Sequence, residues 1–431
     1  MKHVAPDEPT EAGAPPRRVE HRHPRLRKLL AALVVLALLL AAGGYGLYRH
    51  LSANITSMEI PSDVQGEALE GLPKGKAQNI LVIGTDSRQN AADCKLGGSC
   101  GDDKLDGDTN ADVEMLVHIS ADHESMTVMS IPRDTIVDLP ACTGNGKTRE
   151  AGTRGRINGS LNYGVDCQLR TVHELTGLTI NHFMMVDFSG VVSLSDAVGG
   201  VDVCVDADVY DTYSHLKLAK GEHTLQGVAA LQFVRTRHGF GDGSDLGRTI
   251  GQRLYLSSLQ RKLESAGTLL NPQKVYRLAE AGTKALTVDS GLDSVSTLAQ
   301  VAATVGGVPA SSTAFVTLPT VPDPENVNTV VPAEGAQKLF DKLAADDSLV
   351  KPSPKTSPST ASSATPEATS QKPSPSASAT GDPATDGSAQ TSAETTGCAQ
   401  VSTQKTVEIN GVPMTPSEAY AASPRIKDSD A

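Results

Sequence analysis

The stretch VEMLVHISADHESMTVMSIPRD, residues 113–134, contains two apolar runs separated by a short polar segment. Residues 113–120 and 125–132 are rich in Val, Ile and Met, which favours β-strands. The second run ends in Pro-Arg-Asp, and Pro132 fixes the direction in which the chain leaves the strand. We therefore predict two strands, with the guanidinium of Arg133 at a defined position on the edge of a sheet.

Apolar runs of this kind recur through residues 77–345 and alternate with segments of helical period. Further strands are predicted at residues 79–84, 182–188, 201–205 and 313–319, and helices at 168–177 and 334–345. In the second helix the apolar residues fall on one face, at spacings of three and four. This alternation predicts an α/β domain.

Residues 29–48 form an apolar stretch without a charge. At about 1.5 Å per residue it is long enough to cross a bilayer core of about 30 Å. A cleaved signal peptide is the alternative, but the stretch is longer than a typical signal core and no convincing cleavage site follows. Seven Lys and Arg residues precede the stretch, whereas Arg49 is the only one between it and Lys74. The positive-inside rule predicts a single-pass protein of the cell membrane, with a cytoplasmic N-terminus and the domain outside.

Composition divides the chain into six segments. We predict a disordered cytoplasmic tail (1–28), a transmembrane helix (29–48), a polar stalk (49–76), the α/β domain (77–345), a disordered Ser/Thr/Pro-rich linker (346–397) and a C-terminal tail (398–431). The linker lacks aromatic residues and cannot bury enough surface to offset chain entropy. The net charge of −12 and the exported bulk disfavour nucleic acid as a partner.

All six cysteines follow the apolar stretch, on the side where disulfides persist if the domain is exported. The absence of a CxxC pair disfavours zinc and thioredoxin-like chemistry. We expect two disulfides that each close a polar loop, Cys94–Cys100 and Cys142–Cys167. Cys204 and Cys398 would then either pair with each other or stay free.

Arginine and aspartate residues cluster at the ends of predicted elements, where α/β folds place ligands. Strand 79–84 leads into Asp86 and Arg88, and the strand of residues 125–132 leads into Arg133. Arg235 and Arg237 are two residues apart, so on an extended backbone they point to the same side.

The helix that follows these two arginines adds to the same cluster. At 100° per residue, Asp245, Arg248 and Gln252 fall on one face, and Asp245 is placed to cap the helix N-terminus. The opposite face, with Leu246, Ile250 and Leu254, is apolar and predicted to pack.

Several arginines at element ends indicate a bound anion, because guanidinium groups repel one another unless an anion lies among them. Their forked donors match phosphate oxygens. Asp86 and Asp112, at the exit of one strand and the entry of a neighbouring one, each offer an oxygen to Mg²⁺, which combines few carboxylates with waters and phosphates. Taken singly, each arginine also fits an ordinary surface ion pair, worth at most about 1 kcal/mol.

Other catalytic motifs are absent from the sequence, which contains no GxSxG, HExxH, Walker A or GxGxxG. Four histidines in the domain (His118, His123, His173 and His238) lack metal-ligand spacing, so we interpret them as surface or packing residues. Lys104 and Val113 break the EF-hand pattern that the acidic residues 102–114 suggest.

In their order and placement the clusters resemble the LytR-CpsA-Psr (LCP) family of cell-wall assembly phosphotransferases. The matching segments are NILVIGTDSR, NADVEMLVHISADHESMTVMSIPRDT, RIN (156–158), VDFSGVVSLSDAVGGVDVCV, LQGVAALQFVRTR and GDGSDLGR, covering nearly all of residues 79–263. The Ala-rich composition and the cysteines are similar to actinobacterial members. The resemblance implies an α-β-α fold with a central, mostly β-sheet core flanked by helices, and an apolar tunnel for a lipid.

The resemblance also implies roles for individual residues. Metal-binding positions fall on Asp86 and Asp112, pyrophosphate-binding positions on Arg88, Arg133, Arg235, Arg237 and Arg248, and further site positions on Asp245 and Gln252. The implied reaction is a phosphotransfer that depends on Mg²⁺, or alternatively Mn²⁺. It moves a phosphoglycan from a polyprenyl-pyrophosphate carrier to a peptidoglycan hydroxyl and releases polyprenyl phosphate. Arg133 would neutralise charge on the transferred phosphoryl, and Asp86 is a candidate acceptor of the hydroxyl proton.

The sequence departs from the family pattern at three positions. The family often has arginine where Asn110 and Gly251 stand, and glutamine where Arg253 stands. The loss of two cations would weaken anion binding, which supports an alternative: a polyprenyl-phosphate-binding protein of the cell envelope that is non-catalytic or pyrophosphatase-like. A membrane-anchored regulator is disfavoured by the predicted position of the domain outside the cell.

Overall fold

A computed structural model describes residues 24–85, 96, 109–243, 245–264, 272–350, 391–392 and 397–431. The chain divides into two compact units, residues 1–50 and 51–431. The strands are β1 (Thr56–Met58), β2 (Gln78–Thr85), β3 (Ala111–Ile119), β4 (Met126–Ser130), β5 (Ile136–Leu139), β6 (Cys142–Gly144), β7 (Lys147–Arg149), β8 (Thr153–Arg156), β9 (His182–Val186), β10 (Val201–Val205), β11 (Val209–Tyr210), β12 (Lys217–Leu218), β13 (Gly221–Leu225), β14 (Leu286–Asp289), β15 (Thr313–Thr317), β16 (Thr320–Asp323), β17 (Asn326–Pro332), β18 (Thr391–Ser392), β19 (Val407–Ile409) and β20 (Val412–Met414). The helices are α1 (Pro24–Ser52), α2 (Ser62–Gln65), α3 (Val165–Thr176), α4 (Phe188–Val198), α5 (Gly227–Arg235), α6 (Asp245–Glu264), α7 (Pro272–Ala285), α8 (Val295–Gly307), α9 (Glu334–Ala344) and α10 (Pro416–Ala422).

Helix α1 contains the predicted transmembrane segment, residues 29–48. Residues 28–52 form the one helix of the described chain that is long and apolar enough to cross a membrane, with a mean hydropathy of 2.3 and no burial in its most apolar part. A signal sequence near the N-terminus can pass the same test of length and hydropathy, and the helix agrees with membrane attachment.

Eight of the described strands form a central sheet, in the order β1-β14-β9-β2-β3-β4-β15-β18. Strands β2, β3 and β4 are antiparallel neighbours, while β9 runs parallel to β2 and β15 runs parallel to β4. Five of the predicted strands, at 79–84, 113–120, 125–132, 182–188 and 313–319, are confirmed in this sheet. The sixth, at 201–205, is strand β10, which pairs with β13 outside the sheet.

Helices cover both faces of the sheet, which confirms the predicted α-β-α fold. On one face Leu81, Leu116 and Phe183 pack with residues of α3 and α9, including Leu169 and Phe340. The other face packs Ile80, Met115 and Phe315 against α8. Because both faces are covered, β2 is buried along nearly its whole length, and its central residues 80–83 form a continuous apolar run.

A third apolar cluster lies beside the sheet and joins α5, α6 and the strands β10–β13 around Phe233 and Phe240. Residues 397–431 are part of this region. Ala399 and Val401 are buried in the cluster, and Ala399 forms a bridge with Val205 on β10. The disulfide Cys204–Cys398 ties the segment to the same strand. The C-terminal tail is therefore folded against the domain.

The cysteine predictions have three outcomes. Cys142–Cys167 is confirmed, and Cys204 pairs with Cys398, which is one of the two alternatives left open. The predicted Cys94–Cys100 pair lies outside the described residues.

The two segments that flank the predicted domain, residues 49–76 and 346–397, are described to different extents. In residues 49–76, expected to form a stalk, β1 pairs with β14 while Ile60, Val64 and Leu72 are buried. Most of the linker, residues 346–397, lies outside the described residues.

Candidate active site

A pocket of about 240 Å³ opens where β2 and β9 end and β3 begins. The strand order places these ends side by side, and α4, α5 and α6 close the other sides. The pocket is lined by Gly84, Thr85, Asp112, Val113, Arg133, Val186, Phe188, Val191, Asp211, Tyr213, Ser214, Leu231, Val234, Arg235, Arg237, His238, Arg248 and Gln252. The described lining thus has four arginines and two aspartates, and its charge is positive.

Three separate segments bring the four arginines together. Arg133 follows β4, Arg235 is the last residue of α5, Arg237 comes two residues later, and Arg248 lies in the first turn of α6. Gln252, one turn after Arg248, also lines the pocket, and its Nε2 donates a 3.2 Å hydrogen bond to the carbonyl oxygen of Val234.

The remaining predicted site residues are described in part or not at all. Asp86 and Arg88 lie outside the described residues, and for Asp245 the description covers the backbone only. Helix α6 spans Asp245–Glu264, so Asp245 is its first described residue, and Ser244 before it lies outside the described residues.

Asp112 lies between two of the arginines. Nη1 of Arg133 donates a hydrogen bond of 2.5 Å to Oδ1 of Asp112, and Nη1 of Arg248 lies 3.8 Å from the same oxygen. Arg248 is only 7% exposed. Burying a guanidinium is unfavourable unless a countercharge is close, and Asp112 supplies that charge.

Asp134, next to Arg133, also contacts arginines of the site. Adjacent side chains on an extended backbone point to opposite sides, which would turn Asp134 away from Arg133. Instead Oδ1 of Asp134 lies 3.2 Å from Nε of Arg156, and its Oδ2 lies 3.7 Å from Nε of Arg133 and 4.0 Å from Nη1 of Arg237. The carboxylate of Asp134 therefore lies among the guanidinium groups of Arg133, Arg156 and Arg237 at the edge of the pocket.

One wall of the pocket is apolar. The side chains of Val113, Val186, Phe188, Val191, Leu231 and Val234 form it, and they come from β3, β9, α4 and α5. The guanidinium of Arg235 lies 4.4 Å from the centroid of the Phe188 ring, and its Nη1 donates a hydrogen bond to the carbonyl oxygen of Leu96. Cationic and apolar surfaces thus meet at Arg235.

Sequence reasoning missed Asp211, Tyr213 and His238, which also line the pocket. Asp211 is fully buried and accepts hydrogen bonds from the backbone amides of Tyr213, Ser214 and His238. The rings of Tyr213 and His238 lie 4.4 Å apart. Burial lowers the pKa of His238 below its ordinary value, and the charge of Arg237 acts in the same direction. The one sequence signal for His238 is its position next to Arg237. Asp211 gave no signal, because it lies in a segment without a recognisable motif.

The structure also locates the departures from the family pattern. Gly251 does not line the pocket: a Cβ atom there would lie 3.2 Å from two ring carbons of Phe240. Asn110 lies in an adjoining groove, where its Oδ1 accepts a hydrogen bond from Nδ2 of Asn162. The expected loss of a cation at position 251 therefore concerns the apolar cluster and not the pocket.

The described oxygen donors are compatible with Mg²⁺. Thr85 lines the pocket, is 3% exposed, and its hydroxyl oxygen is buried without a hydrogen-bond partner among the described residues. With the carboxylate of Asp112, it offers a second oxygen at the same strand ends. The described chain holds no group of three or more His, Cys, Asp or Glu side chains suited to a metal. A magnesium site with one or two carboxylates, waters and phosphates does not need such a group.

The fold and the pocket define a class: α-β-α proteins with an arginine-lined pocket at the edge of the sheet, beside an apolar wall. The model of the LytR_cpsA_psr family matches residues 47–345. The chain belongs to this family, which confirms the resemblance found in its sequence.

Named relatives agree with this assignment. The chain is 32% identical over 324 residues to "Cell wall biosynthesis protein LcpA" of Corynebacterium glutamicum, covering 69% of this chain and 60% of that protein. It is 30% identical to "Polyisoprenyl-teichoic acid--peptidoglycan teichoic acid transferase TagU" of Oceanobacillus iheyensis, covering 64% and 82%. The chain thus spans 60% of the length of its corynebacterial relatives.

A solved structure supports the fold. The "LytR-Csp2A-Psr enzyme from Actinomyces oris" superposes with a TM-score of 0.50 at 22% identity, covering 67% of this chain and 96% of that one. At this level of identity the comparison concerns the fold alone.

Proposed function

We propose that the chain is a cell-wall glycopolymer phosphotransferase, which moves a phosphoglycan from a polyprenyl-pyrophosphate carrier to a peptidoglycan hydroxyl. The observation that carries the proposal is the convergence of Arg133, Arg235, Arg237 and Arg248 on one pocket beside an apolar wall. Membership of the LytR_cpsA_psr family and the names of the relatives support the same class of reaction.

The arginines account for binding of the diphosphate. A pyrophosphate diester carries a charge of about −2, and guanidinium forks bind its oxygens with two parallel hydrogen bonds. Arg133 and Arg248 are pre-positioned by Asp112, and Arg133 and Arg237 by Asp134. Side chains that are held before the ligand arrives lose less entropy when it binds. Arg88 is proposed as a fifth contributor, and Gln252 and Asp245 as further site residues.

The apolar wall accounts for the lipid. The polyprenyl chain is attached directly to the diphosphate, so its first isoprene units must lie next to the anion site. Phe188, Val191 and Leu231 supply apolar surface in the same pocket as the arginines. Burial of the apolar lipid chain against them stabilises the complex by about 25 cal/mol per Å².

In the reaction, the acceptor oxygen attacks the glycan-bound phosphorus, and the bond from this phosphorus to the oxygen of the leaving polyprenyl phosphate breaks. The acceptor hydroxyl loses its proton, for which Asp86 is the proposed acceptor. Arg133 neutralises the charge that develops on the transferred phosphoryl. Asp86, Asp112 and the hydroxyl of Thr85 would hold Mg²⁺, or Mn²⁺, which supplies neutralisation of phosphate charge when bound.

We further propose that the domain lies outside the cytoplasmic membrane. Helix α1 is long enough to anchor it, and the basic residues before the helix favour a cytoplasmic N-terminus. The two disulfides, Cys142–Cys167 and Cys204–Cys398, support an oxidising compartment.

The alternative, a protein that binds polyprenyl phosphates without turnover, has less support from the structure. Its case rested on the missing arginines at Asn110 and Gly251. Position 251 faces Phe240, so an arginine there would not contribute to the pocket.

The proposal is tested with the full chain in nanodiscs, a lipid-linked glycan donor, peptidoglycan fragments and Mg²⁺. The released polyprenyl phosphate and the glycan attached to the acceptor are both measured by mass spectrometry. We expect Arg133→Ala to lower transfer by about 10²- to 10³-fold, the usual effect of removing a donor that stabilises transition-state charge.

Arg170→Ala is the matched control, because Arg170 pairs with Asp63 on helix α2 and does not line the pocket. It should transfer at the wild-type rate. Inactivity of the wild-type chain with several lipid-linked donors would contradict the proposal. Tight lipid retention without turnover would favour the binding protein.

A further inference from the structure

We propose that a second groove next to the pocket binds the acceptor, through a carboxylate of a peptide-substituted saccharide; this rests on the proposed phosphotransfer. The groove has a volume of about 630 Å³ and shares Arg133 with the pocket. Its lining is polar and comes mainly from strands β7 and β8 and from the 3₁₀ helix Ile157–Tyr163.

Arg149 is the cation on which the assignment depends. Its guanidinium carbon lies 4.0 Å from the centroid of the Tyr163 ring, and its Nη2 donates a 3.4 Å hydrogen bond to the carbonyl oxygen of Gly159. No described carboxylate pairs with it. Nη1 of Arg149 and Oδ1 of Asn162 are both buried without a described hydrogen-bond partner. Atoms left in this way are costly unless a water or a ligand supplies the bond.

Neighbouring arginines differ from Arg149 in having carboxylate partners. Arg154 pairs with Asp323 and Glu325, and Arg156 pairs with Asp134. Among these three arginines, Arg149 alone lacks a described carboxylate partner. A fixed guanidinium without a carboxylate partner is suited to a carboxylate from a ligand.

The position of Arg149 is fixed by covalent and packing constraints. It lies opposite Cys142 in the β6–β7 pair, and Cys142 is joined to Cys167 on α3. Strand β6 also packs tightly on the 3₁₀ helix, since a Cβ atom at Gly144 would lie 2.0 Å from the carbonyl oxygen of Tyr163. The stacked pair of Arg149 and Tyr163 is thus formed before any ligand binds.

The direction of attack distinguishes the acceptor from the donor. In phosphoryl transfer the attacking and leaving oxygens lie roughly in line with phosphorus. Most of the apolar wall comes from β9, α4 and α5, with Val113 added by β3, so it lies mainly toward the β9 end of the strand order β9-β2-β3-β4. The groove lies beyond the end of β4, where Arg133 stands. A polyprenyl phosphate that leaves along the apolar wall therefore has the groove on the opposite side, from which the acceptor hydroxyl approaches.

The chemistry of the groove fits a peptidoglycan fragment. Amides of Asn158 and Asn162 suit acetamido and hydroxyl groups, and Arg149 suits a carboxylate of the stem peptide. An anionic glycan of the donor has related chemistry, so the test must separate the two.

The probes are a disaccharide-tetrapeptide from peptidoglycan, the peptide-free disaccharide with its lactyl carboxyl group capped as an amide so that it carries no carboxylate, and inorganic pyrophosphate. Each is titrated into the full chain in nanodiscs without donor. We expect Arg149→Ala to weaken binding of the disaccharide-tetrapeptide by about tenfold or more, the loss of one charge-assisted hydrogen bond. Arg149→Lys should recover part of this binding, and the peptide-free disaccharide should bind weakly to both wild type and variants.

Pyrophosphate affinity and the melting temperature of Arg149→Ala should stay at wild-type values, which separates the effect from misfolding. Arg170→Ala is the control, because it removes an arginine whose ion pair lies outside the groove. This variant should bind all three probes with wild-type affinity. The assignment is overturned if wild type does not bind the disaccharide-tetrapeptide, or if Arg149→Ala binds it like wild type. It is also overturned if the variant loses affinity for the lipid-linked donor instead.

Failure of the proposed function gives a different pattern. A chain that binds the disaccharide-tetrapeptide through Arg149 and transfers nothing supports the groove and contradicts the phosphotransferase. A chain that transfers, but whose Arg149→Ala variant keeps its acceptor affinity, contradicts the groove alone.

Discussion

One carboxylate oxygen, Oδ1 of Asp112, lies 2.5 Å from Nη1 of Arg133 and 3.8 Å from Nη1 of Arg248. Asp112 lies at the start of β3, and Arg133 follows the neighbouring strand β4. Arg248 comes from helix α6, which is distant in sequence. This shared oxygen joins two parts of the fold at the centre of the proposed site, and it is also a proposed ligand of Mg²⁺.

Asp112→Asn separates these two roles of the carboxylate. If Asp112 is a metal ligand, the concentration of Mg²⁺ that gives half-maximal transfer should rise by at least about tenfold. If Asp112 only neutralises the arginines, its removal should strengthen binding of inorganic pyrophosphate without changing the dependence on Mg²⁺. Titrations of activity with Mg²⁺ and of binding with pyrophosphate decide between the outcomes. We expect the first.

Thr85→Val tests the hydroxyl that has no described partner. The substitution keeps the shape of the side chain and removes a buried polar atom, so the free energy of unfolding should stay unchanged or rise by up to about 1 kcal/mol. Transfer should fall, because the pocket loses an oxygen donor, and Thr85→Ser should retain it. A fully active Thr85→Val variant would show that this hydroxyl contacts neither metal nor phosphate.

Gly251→Arg restores the residue that the family often has and should not improve anion binding. A side chain at position 251 meets Phe240 in a packed cluster, and overpacking of this kind typically costs about 1–3 kcal/mol. We expect a lower melting temperature and unchanged affinity for pyrophosphate per folded molecule. Asn110→Arg is the matched comparison: it adds the same charge in the polar groove and should leave the melting temperature close to that of wild type. Stronger pyrophosphate binding by Gly251→Arg would contradict the placement of this residue.

The double substitution of Cys204 and Cys398 by serine should release the C-terminal segment. The disulfide closes a loop of 194 residues, and loss of a cross-link over so long a loop destabilises a domain by about 5 kcal/mol in the chain-entropy description. The segment also contacts the chain that follows Arg237: Oγ1 of Thr406 donates a 2.6 Å hydrogen bond to the carbonyl oxygen of His238, and the amide of Ser402 donates one to Gly239. Weaker pyrophosphate binding should therefore accompany the lower melting temperature.

The matched control replaces Cys142 and Cys167, whose disulfide closes a loop of 25 residues away from Arg237. It should destabilise the fold by about 3 kcal/mol and leave pyrophosphate affinity unchanged. Equal losses of pyrophosphate affinity in both double variants would show that the C-terminal segment has no specific effect on the pocket.

His238 should make stability depend on pH. Because burial lowers its pKa in the folded chain, the unfolded chain binds a proton first as the pH falls through the ordinary histidine range of about 6.5. This contribution therefore destabilises the fold progressively below that pH and is absent well above it. Melting temperatures measured between pH 7.5 and 5.5 should fall less steeply for His238→Gln than for wild type. A steeper fall in the variant would mean that the folded chain raises this pKa.

Local patterns determined a large part of the structure. Apolar runs and turn residues define β2, β3, β4, β9 and β15, and the spacing of leucines defines α9, because a side chain's direction within one element depends only on the period of that element. The length of the apolar stretch defines α1 in the same way. Arginines at element ends pointed to the pocket, since the ends of neighbouring strands meet at one edge of a sheet.

Contacts between distant segments were decided by tertiary packing. Sequence spacing does not show that the carboxylate of Asp134 turns toward Arg156 and Arg237, that Gly251 faces Phe240, or that residues 397–431 fold against β10. The partners in these contacts come from elements whose relative positions depend on the filling of a shared apolar core. A local period fixes which face a residue occupies, and only the packed core decides what that face meets.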